Sequence, residues 1–203
     1  MLITLLHTAK DHCATFDNLR DRISPGTKLV HVVRPDFLAR AQGGLDDALA
    51  KDIAKVVQSA TGPVLCTCTT IGAAAQSANA IRIDAPMMQA AAQVGGPTLL
   101  VCCLESTRAP SRQLLQGALT AEGSDEPVYE LCLGEFWPLF EAGEAEAFRA
   151  VVAGAVKAYF SEHPELSAIV LAQASMAGAA AMLADLPVPV FSSPELALRA
   201  MIG

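Results

Sequence analysis

The segment Val64–Gly72, VLCTCTTIG, places two cysteines one residue apart, where an apolar run meets a hydroxyl-rich turn. A thiol in that setting has four uses: metal ligand, half of a disulfide, core packing, or a nucleophile or base at the end of a strand. The chain holds six cysteines, Cys13, Cys66, Cys68, Cys102, Cys103 and Cys132, spaced C-x-C and C-C with no C-x-x-C pair. Of its four histidines, none stands four residues from another. This spacing argues against zinc, and neither metal nor cofactor is expected. The ordinary use of an unbridged cysteine is as a small buried hydrophobe. Cys66 reads that way, because on a strand it shares a side with Cys68, one step deeper in the sheet. For Cys68 to do chemistry its pKa must fall towards neutrality. The opening of a helix after Thr70 offers backbone N–H groups and a positive dipole end that favour a thiolate.

The elements that must position these groups alternate along the chain. Apolar runs predict strands at Leu2–Leu6, Lys28–Val33, Val64–Cys66, Ile81–Ile83, Thr98–Cys103, Val128–Leu133, Ala168–Ala172 and Val188–Phe191. Helical periodicity marks Leu45–Ser59, Met87–Val94, Ser111–Leu119, Glu144–Ser161, Met176–Leu183 and Pro194–Ile202. Strands alternating with helices imply βαβ units and a parallel sheet, and runs as apolar as AIVLA suit a sheet covered on both faces. The chain also reads as two similar halves separated by the break at Gly95–Pro97. The expected fold is therefore α/β: two pseudo-symmetric, doubly wound parallel-sheet lobes with an interdomain cleft. The first lobe is residues 1–95, with the C-terminal helix 194–203 as a possible addition to it, and the second is 96–193.

In such sheets ligands bind beyond the carboxyl ends of the strands. The residues there are His7-Thr8, Cys68-Thr69-Thr70, Asp84, Cys103 to Thr107, Glu135 to Glu141, Gln173 to Ser175, and Ser192-Ser193. This set is small, polar and rich in hydroxyls, and suits a compact carboxylate better than a nucleotide. No G-x-G-x-x-G and no G-x-x-x-x-G-K-[ST] occurs, so phosphate cradles lack support. A net charge of −7 without a basic cluster argues against nucleic acid. No apolar run is long enough to span a membrane, and the N-terminus lacks the pattern of a signal peptide. A cytoplasmic protein with a small carboxylate-containing substrate is expected.

The ordered series LLHTA, LCTCTTIG, IRIDAPMMQAA, LESTRAPSRQLL, GEFWPLFEAGE and LAQASMA resembles the aspartate/glutamate/hydantoin racemase superfamily over most of the chain. The resemblance implies cofactor-independent chemistry at a carbon next to a carboxylate, and a homodimer is possible by the same token. It places Cys68 at the catalytic cysteine, Thr69 at the following asparagine, and His7 at an acidic residue, so that His7 is the expected partner that tunes Cys68. Thr8, Thr69, Thr70 and Thr107 are the residues expected to hold the substrate carboxylate, through hydroxyls and backbone amides. Gln173 falls where the family has its second cysteine, and Ser175 where many members have a histidine. A glutamine is neither acid nor base at ordinary pH, so a symmetric two-thiol racemase is not expected. What remains is an isomerase or racemase-like enzyme working through one thiol, with Gln173 and Ser175 positioning water or a polar substrate group on the far side. A one-thiol decarboxylase and a non-catalytic carboxylate-binding protein stay open beside it. So do structural readings of several residues. Asp84 can cap the following helix, Glu141 can be a solvated helix-start residue, Cys102, Cys103 and Trp137 can be packing, and His12, His31 and His163 read as structural or exposed.

Overall fold

The structure is a computed structural model that describes residues 1–203. The elements run β1 (Leu2–His7), α1 (Asp11–Ile23), β2 (Lys28–Val33), α2 (Pro35–Ala41), α3 (Asp47–Ser59), β3 (Val64–Cys66), α4 (Thr69–Ser77), β4 (Ile81–Arg82) and α5 (Ala85–Val94). They continue with β5 (Thr98–Cys102), α6 (Glu105–Ala121), β6 (Val128–Cys132), a 3-10 turn at Gly134–Phe136, α7 (Trp137–Glu141), α8 (Ala145–Glu162), β7 (Ala168–Leu171), a 3-10 helix at Ala174–Leu183, β8 (Val190–Ser192) and α9 (Ser193–Ile202). Two four-stranded sheets result, ordered β2-β1-β3-β4 and β6-β5-β7-β8. Every strand pair is parallel. The α/β class and two parallel sheets of like winding are as the sequence implies.

The chain divides into one unit of Met1–Pro86 with Pro194–Gly203, and a second of Met87–Ser193. The partition falls at the start of α5, ahead of the Gly95–Pro97 break. The C-terminal helix α9 counts with the first unit, where Glu195 pairs with Arg22 of α1.

Local sequence explains the elements that frame the site. The central strands are buried and mostly apolar: every residue of β5 (TLLVC) and β7 (AIVL) is buried, and all of β1 after Leu2. Helix α3 starts where the Asp46 carboxylate accepts the Leu49 N–H at 2.7 Å, satisfying a donor the first turn would otherwise leave bare. It then buries Leu49, Ile53 and Val57, four residues apart on one face. The turn into β3 needs Gly62. Its φ is +78°, and a Cβ there would lie 2.8 Å from the Leu2 carbonyl oxygen. The first core joins Leu6, Phe37, Ile53, Cys66, Cys68 and Ile71. The second joins Leu99, Val101, Phe148, Val152, Ile169, Leu171 and Met176.

Two of the expected elements take a different form. Met176–Leu183 carries helical periodicity, yet the segment from Ala174 is a 3-10 helix. Its buried Met176 and Ala179 are three residues apart, which aligns them on one row of the tighter coil. Strand β8 begins at Val190 rather than Val188. Pro187 and Pro189 have no N–H to give a ladder, and the Pro189 carbonyl instead caps the pairing by accepting the Ile169 N–H at 3.0 Å.

Candidate functional site

Strand β3 ends at Cys66, and two residues later Cys68 stands extended (φ −120°, ψ 117°) just before the first turn of α4. Its neighbours Thr69, Thr70, Ile71 and Gly72 are all buried, and the thiol lies in the first core with only 8% of the residue exposed. Burial raises its pKa above the usual thiol value, because an ion in an apolar setting loses its hydration. Donors oppose that effect: the Thr8 side chain, the backbone N–H groups of Ile71 and Thr70, and the Thr70 side chain all favour the thiolate. The resting state is a thiol surrounded by groups built to receive negative charge.

The residues on either side of Cys68 fix it. The Cys66 thiol donates to the Cys68 carbonyl at 3.5 Å. Full burial, then the neighbouring Cys68, push the Cys66 pKa far up, so Cys66 packs and does not ionise. Thr67 ties the turn to β1: its N–H and its hydroxyl both donate to the Leu6 carbonyl, at 2.9 and 3.1 Å.

His7 was expected to pair with Cys68, and the geometry corrects that. Its Nδ1 is 2.8 Å from Thr67 Oγ1 and its Nε2 is 2.8 Å from His31 Nδ1, so both ring nitrogens are engaged away from the thiol. Burial lowers its pKa to about 3, helped by His12 and His31. His7 is thus a neutral ring that holds the β3–α4 turn through Thr67. It touches Phe16 and His12 as well, with ring centroids 5.7 and 6.1 Å away.

Asp84 does not stand open. It accepts two hydrogen bonds from the Arg82 guanidinium, Nε–Oδ1 2.9 Å and Nη2–Oδ2 2.7 Å, in a pair that is almost wholly buried. Arg82 packs closely over Gly72 of α4. A Cβ on Gly72 would sit 3.1 Å from Arg82 Nε.

In the second unit Gln173 occupies the position that Cys68 holds in the first. It follows β7 by two residues, is extended (φ −116°, ψ 140°), and precedes the 3-10 helix. Its Oε1 accepts the backbone N–H groups of Cys103 at 2.5 Å and Leu104 at 3.0 Å. The amide therefore ties the end of β7 to the loop after β5. Thr107 is buried in the first turn of α6, with its N–H on the Leu104 carbonyl at 2.9 Å. Ser175 has a buried hydroxyl with no protein partner. The Cys103 thiol is pushed up to about 12, chiefly by burial and then by Cys132 and Glu135, which disfavours it as a second base. Glu141 is solvent-exposed. Trp137 packs on Phe140 and Phe148.

Each unit thus carries its polar residues at the carboxyl ends of its own strands. In the first these are His7, Thr8, Cys68, Thr69 and Thr70, and in the second Thr107, Gln173 and Ser175. Sequence reasoning missed Thr67, His31, Asp17 and Arg82, whose importance lies in the side-chain partners that the fold brings to them.

No protein-family profile matches the sequence, and no curated protein is detectably similar to it. Solved structures do match. The glutamate racemase of Francisella tularensis, in complex with D-glutamate, superposes with a TM-score of 0.72 at 16% identity, covering 98% of this chain and 79% of that one. The allantoin racemase of Klebsiella pneumoniae gives 0.62 at 18% identity, covering 100% and 86%. The aspartate racemase of Picrophilus torridus gives 0.64 at 13%, covering 99% and 93%. The chain has the fold of the aspartate/glutamate/hydantoin racemase superfamily. Within that racemase fold no helix is long and apolar enough to cross a membrane.

Proposed function

We propose that the protein is a cofactor-independent enzyme that forms or quenches a carbanion at a carbon α to a carboxylate, with Cys68 as its acid/base group. The observation that carries this reading is the Cys68 thiol, held at a strand–helix junction among the Thr8 and Thr70 side chains and the first N–H groups of α4. A Cys68 thiolate takes the α-proton. The electrons pass into the carboxylate as an enediolate, whose charge the hydroxyls of Thr8, Thr69 and Thr70 and the helix-start amides stabilise. Thr107 and Ser175 are the corresponding hydroxyls of the second unit. His7 acts through Thr67 as a positioning residue.

Gln173 decides what kind of enzyme this is. Its carbonyl oxygen is committed to two backbone N–H groups, and an amide carries no titrating proton. Cys68 therefore returns the proton to the face it came from, and the reaction is isotopic exchange with retention, or isomerisation in which the substrate supplies the second step.

A second reading is favoured by the raised pKa of Cys68. A thiol protonated at rest is a proton donor. If the substrate is a 2-substituted malonate, its carbon–carboxylate bond breaks, carbon dioxide leaves, and the bond electrons form the enediolate. The Cys68 proton goes to that carbon, and water reprotonates the thiolate.

Proton NMR in deuterium oxide separates these readings, using a panel of amino-acid enantiomers, hydantoins and 2-substituted malonates. Deuterium at the α-carbon with retained configuration is the expected result. Loss of a malonate signal with carbon dioxide release selects the decarboxylase. No turnover of any acid, with an acid-dependent rise in Tm, would make the protein a carboxylate binder and overturn the catalytic reading.

A further inference from the structure

A histidine–cysteine cluster in the first unit shares only His7 with the positioning of Cys68. Its members come from three elements: His7 at the end of β1, Cys13 in the first turns of α1, and His31 in β2. One ligand atom from each lies within 4.8 Å of the other two.

Hydrogen bonding around the two rings constrains where their protons are. The Thr67 hydroxyl donates its single proton to the Leu6 carbonyl. It must therefore accept from His7, which puts the His7 proton on Nδ1 and leaves a lone pair on Nε2. At the other ring, His31 Nε2 faces an Asp17 carboxylate oxygen at 3.4 Å and His31 Nδ1 faces His7 Nε2 at 2.8 Å. Both of those partners accept, and a neutral His31 has one N–H for the two of them. With the proton on Nδ1 it donates to His7 and leaves Asp17 unanswered; with the proton on Nε2 it answers Asp17 and leaves a gap between the rings that a cation can fill.

We propose that His7 Nε2, His31 Nδ1 and Cys13 Sγ form a binding site for a divalent transition-metal ion of the zinc class. This goes beyond the proposed function and does not depend on it, and it revises the expectation that the chain holds no metal. Two features favour the cation over the proton. First, with the cation in place each imidazole donates its outer N–H, His7 to Thr67 and His31 to the Asp17 carboxylate. That is the supporting arrangement that orients histidine ligands on a metal. Second, the third donor is a thiol, and two imidazoles with one thiolate suit zinc, cobalt or copper rather than magnesium or calcium. Tetrahedral zinc at ordinary bond lengths needs ligand atoms about 3.3–3.6 Å apart, so the nitrogens open by about half an ångström and the sulfur moves in. Half-buried Cys13 and His31 give an ion access from solvent, and solvent supplies a fourth ligand. His12 packs edge-on against His7, its buried ring nitrogens without partners.

Cobalt(II) titration of chelator-treated protein is the test. The expected result is a thiolate-to-cobalt charge-transfer absorption that saturates at one ion per chain and is displaced by zinc. Cys13→Ser should abolish it, and Asp17→Asn should weaken binding by roughly 10- to 100-fold. Cys132→Ser, which removes an exposed thiol of the second unit, should leave it intact. Circular dichroism confirms that each variant is folded. Absence of the band in the wild type, or its persistence in folded Cys13→Ser, would overturn the proposal and leave a proton between the two rings.

Discussion

The two units wind four parallel strands in the same order, yet they use the same place differently. Two residues beyond β3 the first unit has Cys68, and two residues beyond β7 the second has Gln173, both extended and both opening a helix. Around Cys68 the neighbouring donors favour the thiolate and oppose the burial that raises its pKa. Around Gln173 the neighbouring amides of Cys103 and Leu104 are consumed by the side-chain carbonyl. One strand end carries a titratable thiol and the other an amide tied to its neighbours. Two like halves can therefore keep one architecture while the residue after the strand meets different donors, the opening of its own helix in one half and the loop after a neighbouring strand in the other.

The sharpest way to break this comparison is to exchange the groups. Cys68→Ser should lower α-proton exchange by about 10²–10⁴-fold, the range of a lost general acid or base. Gln173→Cys should supply a second proton carrier under the proposed mechanism and make inversion detectable by chiral chromatography of the product. Exchange that survives in Cys68→Ser would locate the chemistry elsewhere. The next effect concerns how each unit braces its last strand. The first follows β4 with the buried Arg82–Asp84 pair, whereas β8 of the second runs into Ser192 and Ser193. Asp84→Ala leaves a buried guanidinium unpaired and should cost about 3–5 kcal/mol in a urea titration. A change below 1 kcal/mol would mean that water replaces the carboxylate. Gln173→Ala strands two backbone donors and should cost about 1–3 kcal/mol, whereas Gln173→Glu, which still offers acceptor oxygens, should lose less.

The smallest effect is a slope. Burial holds Cys68 in its thiol form at neutral pH. A thiolate-dependent exchange should then rise up to about tenfold, or about 1.4 kcal/mol, per pH unit through the alkaline range. A decarboxylation that needs the thiol should be flat there and fall only as Cys68 ionises. The sign of the slope at alkaline pH thus separates the two chemistries of the same residue.

The sheets were legible because buried parallel strands read as continuous apolar runs. The observed strands lie within one or two residues of the runs that predict them. Helices α1 and α2 were not legible. The sequence DHCATFDNLRDRI buries only His12 and Phe16, too little for a periodic stripe, and its ordering comes from packing on the sheet. At the site, Cys68 stood out through its strand-end context. The surroundings of His7 did not, since its partners Thr67 and His31 are 60 and 24 residues away and meet it only through the pairing of β1 with β3 and β2. His31 read as structural or exposed because nothing local marks a residue whose role depends on a neighbouring strand.

The distribution of the thiols gives the molecule an internal gauge. Cys66 and Cys68 are buried in the first unit, and Cys102 and Cys103 in the second, while Cys132 is exposed. A thiol-alkylating reagent reaches each buried pair only when its own unit opens. When reclosing outpaces alkylation, the rate at each pair reports the opening equilibrium of that unit. Peptide-resolved labelling of the unaltered protein would then weigh the two halves separately, and would show whether they share one opening equilibrium or differ.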